Sequence, residues 1–382
     1  MTALEQLTKT AETLTNPAIE RWKEKGGKVI GYYCTYVPEE VIHAAGMLPY
    51  RMRATGSTGT ELGDVYSSHL TCSFVRHSLD QAMRGEYNFL DGLVALFSCD
   101  HIRRLFDVWR YGKIDFPYSP FYLRFLSVPS KIDDMAIEWM AHEILGFKRS
   151  LEDHFQVTIT DDALHQSIIT YNERRNLLKK LYELRKKKAP PITGAEVLST
   201  IIASTAMPMD EFNQLMKQML DEVSGRDGAS DYRARLMLVG GELEDPGYVK
   251  FIEDLGGLVV TDFQCFGVRE FWDLVDESSE PIPALAKRYI ERISCPRMID
   301  QPRRDSFIKN MVKEFKVDGI IVQRMKYCDC WGCESAMIAW EAKKVGIPCM
   351  VLEREYLTVA VGQLRTRVQA FLETIERAQS GR

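Results

Sequence analysis

From Tyr232 onward, short apolar runs alternate with amphipathic stretches, and this alternation constrains the fold more than any other feature of the sequence. The runs "RLMLVGG", "LVVTDF", "DGIIVQR" and "IPCMVLERE" predict buried strands, and the segments between them have the apolar spacing of helices. Strands that alternate with helices pair in parallel, because each helix carries the chain back across the sheet. The pattern therefore predicts a parallel sheet whose ligands bind beyond the carboxyl ends of the strands.

Two earlier regions complete the predicted architecture. Residues 1–129 combine strand-like runs, such as "KVIGYYC" and "GLVALFSC", with helical stretches, and predict a first α/β domain. Residues 130–231 carry long amphipathic patterns and predict a helical region, and residues 232–382 form the second α/β domain. The predicted fold class is α/β, with two Rossmann- or flavodoxin-like parallel-sheet domains and a helical middle region.

Composition excludes several kinds of partner. The 382 residues carry a formal net charge of -5, which argues against a nucleic-acid-binding surface. No stretch of about 18 apolar residues predicts a membrane span. The first residues, "MTALEQLTKTAETL", lack the apolar core of a signal peptide, so we expect a cytoplasmic protein. That compartment keeps thiols reduced, so the nine cysteines are expected to be packing residues or metal ligands.

Three cysteines lie where predicted strands give way to helices. Cys72 precedes the helical stretch from Ser73, Cys99 ends "GLVALFSC", and Cys328 follows "DGIIVQR" and precedes a helix predicted around 334–345. A helix N-terminus favours the thiolate, which is the form that binds metal. Three such thiolates from the two α/β domains are expected to converge in the cleft between them. Three sulfur ligands and an open fourth position suit an iron–sulfur cluster.

Other interpretations of the cysteines stay open on spacing alone. A local zinc site would use the cysteines of "CDCWGC" with one from the next strand, namely Cys328, Cys330, Cys333 and Cys349. A nucleophilic cysteine would need a nearby histidine, and the chain offers the pairs Cys72 with His77 and Cys99 with His101. The third possibility is simple burial, since free cysteine is among the most buried residue types.

Five stretches together resemble the 2-hydroxyacyl-CoA dehydratase and benzoyl-CoA reductase family. "GYYCTYVPEEVIHAAGMLPYRM" (Gly31–Met52) is similar to its opening signature. "HLTCSFVRHSLD" (His69–Asp80), "DGLVALFSCD" (Asp91–Asp100) and "MKYCDCWGCE" with "GIPCMVLEREY" match later motifs in the same order. The resemblance covers nearly the whole chain, and the combination is specific although each motif alone is not.

The resemblance implies a cofactor and partners. Members are heterodimers in which each subunit holds a [4Fe-4S] cluster on three cysteines, which fall here on Cys72, Cys99 and Cys328. A homologous cluster-bearing subunit is therefore the expected partner. The resemblance also implies a separate ATP-hydrolysing iron–sulfur activator, ferredoxin as the indirect electron donor, and an acyl-CoA substrate.

The length, "CDCWGCE" and "EREY" most resemble the smaller cluster-bearing subunit of ATP-dependent benzoyl-CoA reductase. The implied function is transfer of low-potential electrons that dearomatise benzoyl-CoA to a cyclohexadiene-carbonyl-CoA. The alternatives are a subunit of an (R)-2-hydroxyacyl-CoA dehydratase that uses a ketyl radical, and a non-catalytic electron-relay subunit. Four side chains in or near the motifs are candidate proton donors: His43, His69, His101 and Glu353. Of these, His101 is favoured as a catalytic residue.

Overall fold

The computed structural model describes residues 1–111, 121–357 and 361–380. It contains two four-stranded sheets, and every pair of neighbouring strands in them is parallel. The first sheet consists of β1 (Val29–Tyr32), β2 (Leu48–Arg51), β3 (Gly92–Leu96) and β4 (Tyr122–Leu126). The second consists of β5 (Ala234–Gly240), β6 (Gly257–Phe263), β7 (Gly319–Met325) and β8 (Cys349–Arg354). The predicted α/β class with two parallel sheets is confirmed.

Helices cover both sheets and fill the middle of the chain. Those of the first part are α1 (Ala3–Ala11), α2 (Pro17–Glu24), α3 (Glu39–Ala44), α4 (Ser73–Met83) and α5 (Asp100–Tyr111), with a short 3-10 turn at Gly63–Val65. Those of the middle are α6 (Asp134–Phe155), α7 (Asp161–Arg185), α8 (Gly194–Ala203) and α9 (Met209–Ser224). The remaining ones are α10 (Pro246–Glu253), α11 (Val268–Phe271), α12 (Pro281–Glu291), α13 (Gln301–Glu314), α14 (Asp329–Lys344) and α15 (Val361–Ser380). Within the described residues, no helix combines the length and the apolar character needed to cross a bilayer.

The two sheets share one topology. Their strand orders are β2-β1-β3-β4 and β6-β5-β7-β8. The direction in which successive strands are added to the sheet therefore reverses between β1 and β3, and again between β5 and β7. Such a switch point leaves a crevice beyond the carboxyl ends of the two central strands, where ligands of open α/β sheets bind. We refer to each sheet with the helices that cover it as one half of the molecule. Each half therefore has one predicted place for a site.

Two helices pack across the boundary between the halves. Helix α1 packs on α8 and α9, and its Leu7 belongs to the apolar cluster built around the second sheet. In the other direction, α12 packs on α6, and its Ile290 lies in the cluster that includes Ile30 and Val94 of the first sheet. Each half thus contributes a helix to the core of the other.

Several elements differ from the sequence-based predictions. The patterns missed α1, α2, β4, α8, α11 and α12. The helix predicted around 334–345 begins earlier, at Asp329, so that "DCWGC" forms its first turns. Cysteine, Asp and Gly have weak helix propensity, which hid this start, but tertiary packing of the buried Trp331 fixes the segment in the helix.

A candidate iron–sulfur site

One cavity lies beyond the carboxyl ends of both sheets. Its walls come from the segments that follow β1, β2, β3, β5, β6 and β7, so the two switch-point crevices face the same space. The cavity has a volume of about 120 Å³. Seven of the nine cysteines line it, and all nine are free thiols. The lining cysteines are Cys34, Cys72, Cys99, Cys265, Cys295, Cys328 and Cys330.

The three cysteines selected from the sequence occupy matching local positions. Cys72 is the N-cap residue of α4, Cys328 is the N-cap residue of α14, and Cys99 directly precedes α5. All three pack in or against a single apolar cluster. In each case the backbone N–H three residues later acts to lower the thiol pKa, as expected at a helix N-terminus. The structure therefore brings this trio together at three helix starts.

The net pKa shift of these thiols is upward, whereas the sequence led us to expect that helix N-termini would lower the pKa. Burial raises the pKa of Cys72 well above its ordinary value, raises that of Cys99, and raises that of Cys328 to about 12. Removing the thiols from water outweighs the helix N-termini, because desolvation penalises the charged form. The thiols are neutral without a metal, so metal binding must release their protons and is favoured by higher pH.

The sequence reasoning missed three thiols of the cavity, Cys34, Cys265 and Cys295, and considered Cys330 as a ligand of a local zinc site. Cys34 and Cys265 each lie two residues beyond a strand end, those of β1 and β6. The same rule that selected Cys99 would have found them. Cys295 lies in the connection between α12 and α13, which carries no strand or helix signal, and Cys330 lies in the first turn of α14.

The cysteines proposed for a local zinc site do not gather. Cys333 is exposed, and Cys349 pairs with Ile320 at the amino end of β7. Cys328 lies past the other end of that strand, and the stretch from Ile320 to Met325 alone spans about 17 Å at roughly 3.3 Å per residue. Across the described ranges, no group of three or more His, Cys, Asp or Glu side chains is placed to hold a single metal ion. A cluster makes a different demand, because each thiolate binds its own iron and the sulfurs stand farther apart.

A buried guanidinium forms part of the cavity wall. Arg269 donates from Nη2 to the carbonyl oxygen of Gly240 at 2.6 Å and to Sγ of Cys265 at 3.1 Å. Its Nε and Nη1 have no hydrogen-bond partner within the described part of the chain. Its guanidinium lies 4.9 Å from the ring centroids of Phe263 and Trp331. A buried cation beside the thiols stabilises negative charge in the cavity.

A chain of buried ion pairs leads from the cavity into the interface between the halves. Glu242 lines the cavity and lies 3.4 Å from Arg51, which lies 3.2 Å from Glu270. Glu270 pairs with Arg174 at 2.6 Å, and Arg174 reaches Glu39 of α3 at 3.2 Å. The alternating charges join α3 and β2 of the first half to α7, α11 and the end of β5.

His101 lies beside the trio and outside the cavity lining. Its Nδ1 accepts a hydrogen bond from the backbone N–H of Cys72 at 3.2 Å, so the proton of the neutral ring is on Nε2. Nε2 lies 3.8 Å from Asp329, the first residue of α14. His101 thus connects the starts of α4, α5 and α14, which carry Cys72, Cys99 and Cys328.

The other candidate donors and paired histidines lie elsewhere. His43 on α3 bonds Ser167 at 2.9 Å, and His69 is exposed. Glu353 pairs with Arg324 at 2.6 Å. His77 is buried with Nδ1 2.8 Å from Oγ of Ser57, and its ring contacts Tyr356. In the part of the chain that the structure describes, none of these side chains lines the thiol cavity.

The donor set of the cavity fits an iron–sulfur cluster. Thiolates are the ligands of such clusters, and hydrogen bonds to the sulfurs, burial and nearby charge tune them. The cavity supplies thiols from three helix starts, a guanidinium that donates to a sulfur, and shelter from water.

Comparison with known proteins identifies the family. The sequence model of "2-hydroxyglutaryl-CoA dehydratase, D-component" matches residues 34–375. The chain belongs to this family. One of the subunits of benzoyl-CoA reductase from Thauera aromatica is 28% identical over 375 residues, which are 96% of each chain. The resemblance inferred from the motifs is confirmed.

Two further relatives are named as dehydratase subunits. The beta subunit of (R)-phenyllactyl-CoA dehydratase from Clostridium sporogenes is 25% identical over 94% of each chain. The beta subunit of (R)-2-hydroxyglutaryl-CoA dehydratase from Acidaminococcus fermentans is 24% identical over 94% of this chain and 95% of its own. A solved structure, that of SsGBP in complex with GDP, aligns with a TM-score of 0.24 and 12% identity, over 92% of this chain and 99% of that chain, which is too low to support an argument.

Proposed function

We propose that this chain is the iron–sulfur subunit of a benzoyl-CoA reductase-type enzyme complex. Cys72, Cys99 and Cys328 would hold a [4Fe-4S] cluster that passes low-potential electrons to an aromatic acyl-CoA. The observation that carries the proposal is the convergence of three helix-start thiols on one buried cavity. Family membership supports it, since one relative is a benzoyl-CoA reductase subunit.

The partners follow from the same proposal. A homologous subunit would complete the heterodimer, and a separate ATP-hydrolysing iron–sulfur activator, fed by ferredoxin, would supply the electrons. The bound cluster would supply one-electron chemistry, and the chain's own residues would bury it and hold its charge. Arg269 would stabilise negative charge there, and His101 would fix the start of α4 that presents Cys72. Proton donation by His101 stays a prediction.

The size of the cavity favours electron relay as the second candidate role. Its volume of about 120 Å³ is below the roughly 300–1,000 Å³ of pockets for small-molecule ligands. A cluster suits this space better than an acyl-CoA. In the relay role the acyl-CoA would bind the partner subunit, and this cluster would pass electrons without touching substrate.

The dehydratase role rests on other relatives. Beta subunits of 2-hydroxyacyl-CoA dehydratases match the chain over a similar length at 24% and 25% identity. In that role the cluster would deliver a single recycled electron to a 2-hydroxyacyl-CoA. Product analysis of the assembled complex with benzoyl-CoA and with a 2-hydroxyacyl-CoA separates the two reactions.

Metal analysis tests the cluster directly. Iron, zinc and acid-labile sulfide are measured on anaerobically purified wild type and on the Cys72→Ala, Cys99→Ala and Cys328→Ala variants. We expect at least about four irons per chain in the wild type, as a [4Fe-4S] cluster requires, and loss of those irons in each variant. EPR of the reduced complex with and without acyl-CoA then separates a substrate-contacting cluster from a relay.

The controls are two cysteines outside the cavity. Cys333→Ala changes the exposed thiol of the same helix, and Cys349→Ala changes the thiol at the amino end of β8. Both variants are expected to retain iron. Zinc in place of iron, or iron content that Cys72→Ala and Cys99→Ala leave unchanged, would refute the proposal.

A further inference from the structure

The trio accounts for only some of the thiols that face the cavity. Four more line it: Cys34, Cys265, Cys295 and Cys330. We refer to these four as the quartet. A single cluster is held by at most four cysteines, so seven thiols around one cavity exceed what one cluster uses. Free cysteines usually pack as small apolar residues, but packing alone does not direct most of a chain's thiols toward one space.

The quartet thiols are neighbours of one another. Burial raises the pKa of Cys34, Cys265 and Cys330, and thiolate charge on Cys295 adds to each of these shifts. Thiolate charge on Cys265 also adds to the shift of Cys34, and that on Cys99 and Cys328 adds to the shift of Cys330. Such mutual repulsion acts over short distances in a buried site. Three of the residues come from separate connections of the chain, and Cys330 comes from the first turn of α14. Tertiary structure therefore assembles them.

Specific contacts hold the quartet segments in place. Arg292 donates to the carbonyl oxygen of Thr35 at 2.5 Å and to its hydroxyl at 2.8 Å, which fixes the loop next to Cys34. Arg297 donates to the carbonyl oxygen of Phe97 at 2.8 Å, which ties the segment after Cys295 to the end of β3. Both arginines act on backbone oxygens that follow strand ends, so the positions of the thiols are preorganised.

The backbone at Cys34 is an independent sign of a functional position. Cys34 has a φ of 74°, in the left-handed region that residues with a Cβ rarely adopt. Tyr327, which precedes Cys328, has a φ of 63°. Two of the four described non-glycine residues with positive φ therefore adjoin the same cavity. Such strain persists only where surrounding structure imposes it, and it collects at functional sites.

Zinc does not suit this arrangement. A structural zinc ion needs four ligands around one point, at about 2.3 Å for sulfur. Among the residues with described positions, no three potential ligands meet that demand for one ion. A cluster accommodates wider spacing, and four cysteines are the usual number for both two-iron and four-iron clusters.

We propose that Cys34, Cys265, Cys295 and Cys330 bind a second iron–sulfur unit next to the cluster of Cys72, Cys99 and Cys328. This inference rests on the proposed function, because both units share one cavity. Arg269 donates to Sγ of Cys265 and so belongs to the surroundings of the second unit. A chain with two adjacent units holds more electrons than a chain with one, which suits a two-electron reduction better than a one-electron one.

Iron content per chain tests the second unit. Wild type is expected to contain about eight irons, and the variants Cys34→Ser, Cys265→Ser, Cys295→Ser and Cys330→Ser are each expected to lose at least about four. Cys333→Ser is the matched control, because Cys333 lies in the same helix as Cys330 and is exposed. Far-UV circular dichroism checks that each variant is folded.

Thiol alkylation of the wild type gives a readout that does not depend on any variant folding. Mass spectrometry compares labelling of the as-purified protein with labelling after anaerobic removal of iron by a chelator. We expect the quartet to be protected with iron bound and labelled after its removal, while Cys333 is labelled in both samples. About four irons in the wild type, retained when a quartet cysteine is replaced, or equal quartet labelling in both samples, would overturn the second unit and leave the proposed function intact. Wild type without iron would refute both.

Discussion

The two sheets have the same topology but differ in the residues at equivalent strand ends. Cys99 follows β3 by three residues, and Cys328 follows β7 by three residues. The positions two residues beyond β1 and β5 carry different groups, Cys34 in the first half and Glu242 in the second. The helices that precede β3 and β7 also differ, since α4 is capped by a cysteine and α13 by Asp300.

The difference separates what topology fixes from what each half adds. Cys99 follows the third strand of the first sheet, and Cys328 follows the third strand of the second. Both line the shared cavity, so the two thiols occupy equivalent positions. Both halves add further thiols to the cavity wall, and both contribute an arginine, Arg51 in the first half and Arg269 in the second. Glu242 of the second half is the one carboxylate in the described lining, so the halves share the ligand surface and differ in the acidic group.

The matched pair gives the prediction with the largest effect. Cys99→Ser and Cys328→Ser are each expected to remove the iron held by the trio, and to the same extent, because the two thiols occupy equivalent positions. Asp300→Asn, at the cap of α13, is expected to retain all iron. Inductively coupled plasma mass spectrometry measures the content. A variant pair that differs by half or more of the wild-type iron would break the equivalence.

Breaking the ion-pair chain between the halves has the next largest effect. Arg174→Ala leaves Glu39 buried without its ion-pair partner and leaves Glu270 paired with Arg51 alone, and Arg174 itself is fully buried. Removing one partner of a buried pair costs about 3–5 kcal/mol of the free energy of unfolding. Urea denaturation monitored by circular dichroism measures this loss.

The matched control is an exposed ion pair. Arg21 and Glu211 are paired at the surface, where such pairs contribute at most about 1 kcal/mol. Arg21→Ala is therefore expected to change the free energy of unfolding by no more than that. Equal effects of the two substitutions would show that the buried chain does not stabilise the contact between the halves.

The carboxylates beyond β5 predict a pH dependence. Burial raises the pKa of Glu244 from 4.5 to about 7, and the nearby charge of Glu242 adds to the shift. A carboxyl whose pKa is raised by folding stabilises the fold below its unfolded pKa, and this contribution is lost as the pH rises through 7. The free energy of unfolding is expected to fall by about 2–3 kcal/mol between pH 5 and pH 8 from this group.

Glu244→Gln removes the titration and keeps an acceptor for the N–H of Ala54 and the hydroxyl of Tyr356. The variant is expected to lack that part of the pH dependence. Glu12→Gln, at an exposed position, is expected to match the wild type. Denaturation curves at pH 5 and pH 8 compare the three proteins, and identical pH dependence in all of them would contradict the assignment.

Two glycines near Trp331 give the smallest predicted effect. A Cβ at Gly241, after β5, would lie 2.9 Å from the indole ring of Trp331, whereas a Cβ at Gly332, in α14, would meet nothing within 4 Å. Gly241→Ala is expected to lower the free energy of unfolding by about 1–3 kcal/mol, because overpacking forces side chains to move. Gly332→Ala is expected to raise it by about 0.5–1 kcal/mol, since Ala suits a helix better. Thermal unfolding gives both signs.

Sequence patterns predicted the parts of the fold that have strong periodicity. The strands of the second sheet are long apolar runs of six or seven residues, and all four were predicted. The missed strand β4 has three half-buried residues, including Arg124, so it lacks such a run. Helix α12 was missed although its buried Tyr289 and Ile290 belong to the core of the first sheet, because that packing depends on tertiary structure.

The site was partly predictable for the same reason. Cys72, Cys99 and Cys328 lie at strand-to-helix junctions that can be located in the sequence, and the structure brings them to one cavity. Cys295 follows a helix with no adjacent strand, so nothing local marks it. The roles of these thiols as ligands stay predictions until iron is measured.

The exchange of α1 and α12 between the halves also bears on how a cluster could enter. Because each half completes the core of the other, a hinge motion that separated the two halves would expose the buried side chains of Leu7 and Ile290 to water. A preassembled cofactor would therefore have to arrive before the final docking of the halves, or be built in place from iron and sulfide that diffuse in separately. Cofactor maturation would then be either a step of folding or an assembly from small ions inside the folded chain.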